Sequence, residues 1–146
     1  MLQISHKGLA LIKHFEGFKN KPYTCPGGYV TIGYGHVVGK DQKFKTITEH
    51  EAEELLLIDA QKALQALSRL VRVPLTQPQV DAIISFIFNL GAGAFQRSTL
   101  RACINRGDQP QACLEFLKWI KAGGKILPGL VKRRQAEAAL YQSGIS

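Results

Sequence analysis

The chain has 146 residues, 45% of them apolar and 21% charged, which fits a folded globular protein and excludes the apolar-poor, charge-rich composition of a disordered one. One domain of this length buries roughly 70% of the surface that its unfolded chain exposes, so a real core is available. Nineteen Lys and Arg against eleven Asp and Glu leave a formal charge of +8, favouring a polyanionic partner such as nucleic acid, an anionic membrane surface or an acidic cell wall.

The first segment, MLQISHKGLALIKHFEG, interrupts its apolar residues with His6, Lys7, Lys13, His14 and Glu16, unlike the continuous apolar stretch of a signal peptide. No later run reaches the roughly 18 apolar residues of a membrane span. Synthesis into the cytoplasm is the expectation. Ser5 is placed to cap a helix with Leu9, Ile12 and Phe15 on one face, and Gly17 to end it. Glu16 then closes that helix, where the macrodipole disfavours a negative charge and favours a protonated carboxyl.

Residues 22–38 change to short β-prone pieces: PYT, the turn-like CPGG, then YVTIGYGH, in which Val30, Ile32 and Tyr34 alternate with Tyr29, Thr31 and Gly33. A small hairpin or sheet is predicted, followed by an exposed loop at VGKDQKFK. Thr48 and Glu51 form a capping-box pattern that opens a helix of about 20 residues, with Ala52, Leu55, Leu56, Ala63, Leu67 and Leu70 as its stripe. Thr76 and Pro78 start the next, QVDAIISFIFNLG, apolar nearly all round and so the expected core helix. Further helices are predicted over 98–106, over 108–122 closed by Gly123, and over 128–142 with Lys132, Arg133 and Arg134 exposed. Every segment after the long helix reads as helix. The expected architecture is α+β, a single domain over 1–146: a small β-containing lobe at about 13–60 and a helical lobe at about 60–146 that also takes the N-terminal helix.

The four histidines make no H-E-x-x-H and no pairing with cysteine at ligand spacing, so no metal site is expected. Cys25, Cys103 and Cys113 are odd in number, without C-x-x-C, which points to free thiols in a reducing compartment. Cys103 and Cys113 fall in helical stretches and read as inert small apolar groups. By local pattern alone, Glu16 is a solvated carboxylate, Thr31 a strand former and His36 a structural histidine.

The combination says more. HFEGFKNKPYTCPGGYVTIGYGH resembles the active-site region of phage-type lysozymes of glycoside hydrolase family 24, in which a Glu is followed after eight residues by Asp or Cys and after five more by Thr. Glu16, Cys25 and Thr31 match that spacing. The resemblance continues through G-x-G-H at Gly33 to His36, TITEHEAEELL, VPLTQPQVDAIISFIFNLG, AFQRSTL and PGLVKRRQAEAALY, covering nearly the whole chain.

The resemblance implies a lysozyme-like fold, two lobes joined by the long helix. It also implies an endolysin that hydrolyses the β-1,4 bonds between N-acetylmuramic acid and N-acetylglucosamine in bacterial peptidoglycan, with inversion and without a cofactor. Glu16 would be the acid and Thr31 the group orienting water under the sugar. Cys25 stands where many relatives carry Asp: as a thiolate it would supply negative charge, and as a neutral thiol it would be a bystander. Phe88 and Asn89 match a position lining the sugar cleft, and Asp59 is the implied salt-bridge partner of His36. A monomer made in the host cytoplasm, reaching the wall after a separate protein opens the membrane, completes the picture.

Three readings compete. A basic helical nucleic-acid module using KRRQAEA explains the charge but not the Glu16, Cys25, Thr31 spacing. An inactive wall-binding relative would make Cys25 a mark of lost activity. A lytic transglycosylase would use the same single Glu but leave an anhydro-sugar end.

Overall fold

The computed structural model describes residues 2–25 and 27–145. Pro26, part of the turn predicted at CPGG, lies outside the described residues. In chain order the elements are α1 (His6–Glu16), β1 (Lys19–Thr24), β2 (Val30–Gly33), β3 (His36–Val37), α2 (Glu49–Leu70), α3 (Gln77–Leu90), α4 (Ala92–Gln96), α5 (Thr99–Asn105), α6 (Gln109–Phe116), β4 (Lys121–Ala122), β5 (Lys125–Ile126) and α7 (Pro128–Ser143). This is the mixed α+β arrangement with a small N-terminal sheet and a larger helical lobe.

Local signals set the helix ends. The Ser5 hydroxyl accepts from Gly8 N at 3.2 Å, and Gly17, at φ 69°, returns its N–H to Lys13 O, a conformation that costs other residues a Cβ clash. Thr48 and Glu51 cap each other reciprocally at the start of α2. At α3 the Gln79 side chain accepts from Thr76 N at 3.0 Å.

Strands β1, β2 and β3 pair antiparallel in that order, with Tyr23 opposite Thr31 and Ile32 opposite His36. The sheet lies against the start of α2: a Cβ on Gly33 would meet the Ala52 Cβ at 3.1 Å. Helix α3 forms the centre of the other lobe, with residues 79–87 all buried, packed most extensively on α7 and also on α1, α2 and α4. Ile83, Ile84 and Phe86 are fully buried, each contributing about 1.5–3 kcal/mol by leaving water. The Phe86 ring meets Phe95, Phe116 and Trp119 edge-on at 6.1, 5.7 and 5.4 Å, which places Trp119 in core packing. Asp81, buried in α3, accepts from Ser5 N and Gln77 Nε2 at 2.9 Å each, as well as from the Ser5 hydroxyl, and so ties the start of α1 to α3.

Three expectations need correction. The helix predicted over 108–122 stops at Phe116. Gly123 and Gly124, at φ 58° and 76°, instead turn the β4–β5 hairpin, because a two-residue turn of this kind needs positive φ at both positions. The region after α2 is therefore not all helical. The five-residue α4 is a further helix that its short, Gly-interrupted sequence did not reveal. Finally, Arg133 and Arg134 are only 3% and 0% exposed, and of the predicted exposed trio only Lys132 faces solvent. Glu137, one turn further along α7, supplies the counter-charge that makes their burial tolerable.

Candidate active site

The site begins at the end of α1. Gly17 terminates the helix one residue after Glu16, so the Glu16 side chain projects at the seam between sheet and helical lobe. On one side lies the β2–β3 turn: a Cβ on Gly35 would fall 2.5 Å from Glu16 Oε1. Only glycine, here at φ 74°, permits that approach. On the other side the Arg133 guanidinium donates from Nη1 to Glu16 Oε2 at 2.6 Å. Glu16 keeps 18% of its side-chain surface exposed, whereas Arg133 keeps 4%. The carboxyl is thus held, oriented and reachable from solvent.

Two recesses flank this point. One, of about 310 Å³, is lined by Glu16, Phe15, Asn89, Leu127, Leu130 and Arg133 among others. The second, of about 480 Å³, has Gly35, His36, Gln42, Asp59, Lys62 and Phe88 in its walls. The adjacent residues Phe88 and Asn89, paired as cleft residues in the sequence, therefore open onto different recesses. Asn89 Oδ1 accepts from Arg134 Nη2 at 2.6 Å, which fixes its amide.

Thr31 is buried in β2, its hydroxyl 3.5 Å from Tyr23 O, a long contact that leaves the oxygen weakly engaged. Cys25 sits half-buried at the hairpin turn, its N–H bonded to Tyr29 O and its carbonyl to Gly28 N, both at 2.9 Å. Neither residue hydrogen-bonds to Glu16 among the described residues. In the sheet Thr31 stands between Tyr23 and Val37 and Cys25 follows the end of β1, and neither lines the recesses beside Glu16.

His36 Nδ1 lies 2.7 Å from Asp59 Oδ2, joining β3 to α2. Its Nε2 lies 3.0 Å from Gln42 Oε1, an oxygen identified by the Gly39 N–H that also donates to it at 2.8 Å. With both ring nitrogens engaged, the imidazole is a tie between elements rather than a proton shuttle. Sequence reasoning missed Gln42, Gly35 as the contact of Glu16, and Arg133 as its partner. It also missed Ser85 and Glu137, which hold Arg133 from below. A polar Ser85 inside an otherwise apolar helix, and Arg133 and Arg134 four and three residues before Glu137, were the available signals.

A small antiparallel sheet against the start of a long helix, a helical body behind it and a partly exposed carboxyl at the seam define the lysozyme-like class. Phage lysozyme is the family whose model matches, over residues 13–137, and the chain belongs to that family. It is 47% identical to the endolysin of Acyrthosiphon pisum secondary endosymbiont phage 1 over 97% of this chain and 99% of that one. It is 44% identical to the endolysin of Bacillus phage B103 over 99% of this chain, but spans only 56% of that protein's length. Among solved structures, the muramidase domain of SpmX from Asticaccaulis excentricus superposes with a TM-score of 0.87 at 34% identity, over 97% of this chain and 98% of that one.

Proposed function

We propose that this protein is an endolysin of the N-acetylmuramidase type, hydrolysing the β-1,4 bond between N-acetylmuramic acid and N-acetylglucosamine in bacterial peptidoglycan with inversion. The observation that carries this reading is Glu16, fixed by Arg133 and backed by Gly35, yet open to solvent between two recesses. Glu16 gives its proton to the glycosidic oxygen as the C–O bond breaks. A water on the opposite face of the ring, oriented by the Thr31 hydroxyl, adds to the anomeric carbon. Its proton leaves to solvent. Asn89 and Phe88 bound the glycan in the two recesses. His36 and Asp59 keep the sheet in place beneath it.

The enzyme works as a monomer on the wall, made in the host cytoplasm and released to its substrate by a separate membrane-opening protein. Attraction to the anionic envelope falls to side chains other than Arg133 and Arg134. Arg72, Arg97 and Arg101 line a hollow of about 470 Å³ that has no carboxylate in its walls, and none of the three is in an ion pair among the described residues.

Mass spectrometry of muropeptides released from purified peptidoglycan tests the reaction. Fragments ending in a reducing N-acetylmuramic acid, with one water added per cut, are expected. Anhydro-muramic ends would replace hydrolysis by transglycosylation, and no soluble fragments at all would leave a wall-binding protein.

A further inference from the structure

Helix α7 carries three ionisable groups that the acid-and-water scheme does not itself require and that are sealed from solvent. Arg133 is 3% exposed, Arg134 and Glu137 are 0%. Glu137 stands in the middle. Its Oε2 accepts from Ser85 Oγ at 2.5 Å, Arg134 Nη2 at 3.3 Å and Arg133 Nε at 3.4 Å. Its Oε1 lies 2.9 Å from Arg134 Nε. Each guanidinium then ends on a cleft residue: Arg133 Nη1 on Glu16 Oε2 and Arg134 Nη2 on Asn89 Oδ1, both at 2.6 Å. Arg133 lies over the Phe15 ring at 5.8 Å and Arg134 over Phe86 at 5.3 Å, which fixes the planes of the forks.

We propose that Glu137 is a positioning residue of the active site, holding Arg133 and Arg134 in one arrangement so that Glu16 and Asn89 keep their places at the cleft. It rests on the reading of Glu16 as the acid, although the position of the Glu16 carboxyl resonance does not.

Stability alone does not call for such a cluster, since apolar side chains of similar volume commonly stabilise a core as well or better. Burial pushes the Glu137 carboxyl up and the Arg134 guanidinium down to about 10, while their opposite charges work against both shifts. What the ions add is direction. A guanidinium presents its donors in a rigid planar fork, so fixing one edge on Glu137 fixes where the other edge points. The groups facing Glu137 are Arg133 and Arg134 on its own helix and Ser85 on α3. Helix α1 contributes Glu16, reached through Arg133. With the Glu137 charge removed, Arg133 has only Glu16 as its anion and is drawn fully onto it.

Glu137→Gln in the full chain tests this, because it keeps the shape but puts a neutral amide between two cations. The Glu16 carboxyl carbon is followed by ¹³C NMR at fixed pH, with circular dichroism reporting the fold. The Glu16 carboxyl resonance should move away from its wild-type position as Arg133 changes its hold on the carboxylate. On soluble glycan strands kcat should fall about 10-fold with KM changed less than about threefold, because orientation and not binding is lost. Should Glu137→Gln fail to fold, Ser85→Ala weakens the same anchor without changing charge, and should displace the Glu16 resonance less and lower kcat less than Glu137→Gln is expected to. A folded variant with the Glu16 resonance and kcat of wild type would overturn the proposal. A displaced resonance in a protein that never cuts glycan would uphold the positioning of Glu16 and overturn the glycosidase reading instead.

Discussion

The two walls of the cleft are built by different physics. On the helical side, Glu16 is reached by a buried chain of charge running from Glu137 and Ser85 through Arg133. On the sheet side, Thr31 and Cys25, neither of them in the walls of the two recesses, belong to the β1–β2 hairpin, whose first strand is mostly exposed and which is held by backbone bonds and a long hydroxyl contact. A proton donor benefits from a fixed place. The two sides thus lead to different expectations: loss of a buried charge partner on the helical side should cost stability, and a change on the sheet side should alter turnover more than the fold.

The widest separation of the two walls is expected from Arg134→Leu. It leaves the fully buried Glu137 carboxylate without its partner at 2.9 Å and should lower stability by about 3 kcal/mol. In a domain of this size that is a fall of about 10 °C in Tm. Thermal unfolding followed by circular dichroism measures it, and a Tm within about 2 °C of wild type would mean the charged wall is not what holds the lobe.

On the sheet wall the expected pattern reverses. Thr31→Val keeps the β-branched shape and loses a weak contact, so stability should change by less than about 1 kcal/mol, while turnover falls by about 100-fold if the hydroxyl orients the water. Cys25 sharpens the same test. Cys25→Asp should stay active and Cys25→Ala should lose most activity if negative charge beside the sugar is used. Equal activity of Cys25→Ala and wild type on purified peptidoglycan would make the thiol a bystander.

The difference between the walls also marks what could be read from the sequence. The Glu16, Cys25, Thr31 spacing lies within one continuous segment, and the caps at Ser5, Thr48 and Gly17 are local, so the sheet wall and the end of α1 were visible. The helical wall was not. Arg133 reaches Glu16 across 117 positions, and in the string VKRRQAEA two adjacent arginines read as a solvated face, because the pattern does not show that α7 turns them onto α3. The β4–β5 hairpin was missed for a related reason: Gly123 was taken as a helix stop, whereas Gly123 with Gly124 forms a turn between strands of only two residues each, too short for an alternating pattern.

A smaller effect belongs to the periphery of the helical lobe. The Lys118 amine, 2.5 Å away, holds the buried Glu115 carboxyl below its ordinary value, with help from Gln111. A depressed folded-state value gives stability that is complete above the unfolded carboxylate range and lost as pH falls through the folded value. Glu115→Gln should therefore lose less stability than wild type between about pH 5 and about pH 3, by on the order of 0.5 kcal/mol since Lys118 is exposed. Urea unfolding at the two pH values measures it, and parallel losses in both proteins would remove Glu115 from the acid response.

The central claim is that Glu16 donates the proton that breaks the glycosidic bond. Its direct measurement is the rate of reducing-end release from purified peptidoglycan by Glu16→Gln, with Tm recorded on the same sample. The amide keeps the size and the acceptor for Arg133 but has no proton to give, so the rate should fall by at least about 1,000-fold in a folded protein. A folded Glu16→Gln protein that cuts within about 10-fold of the wild-type rate would contradict the account.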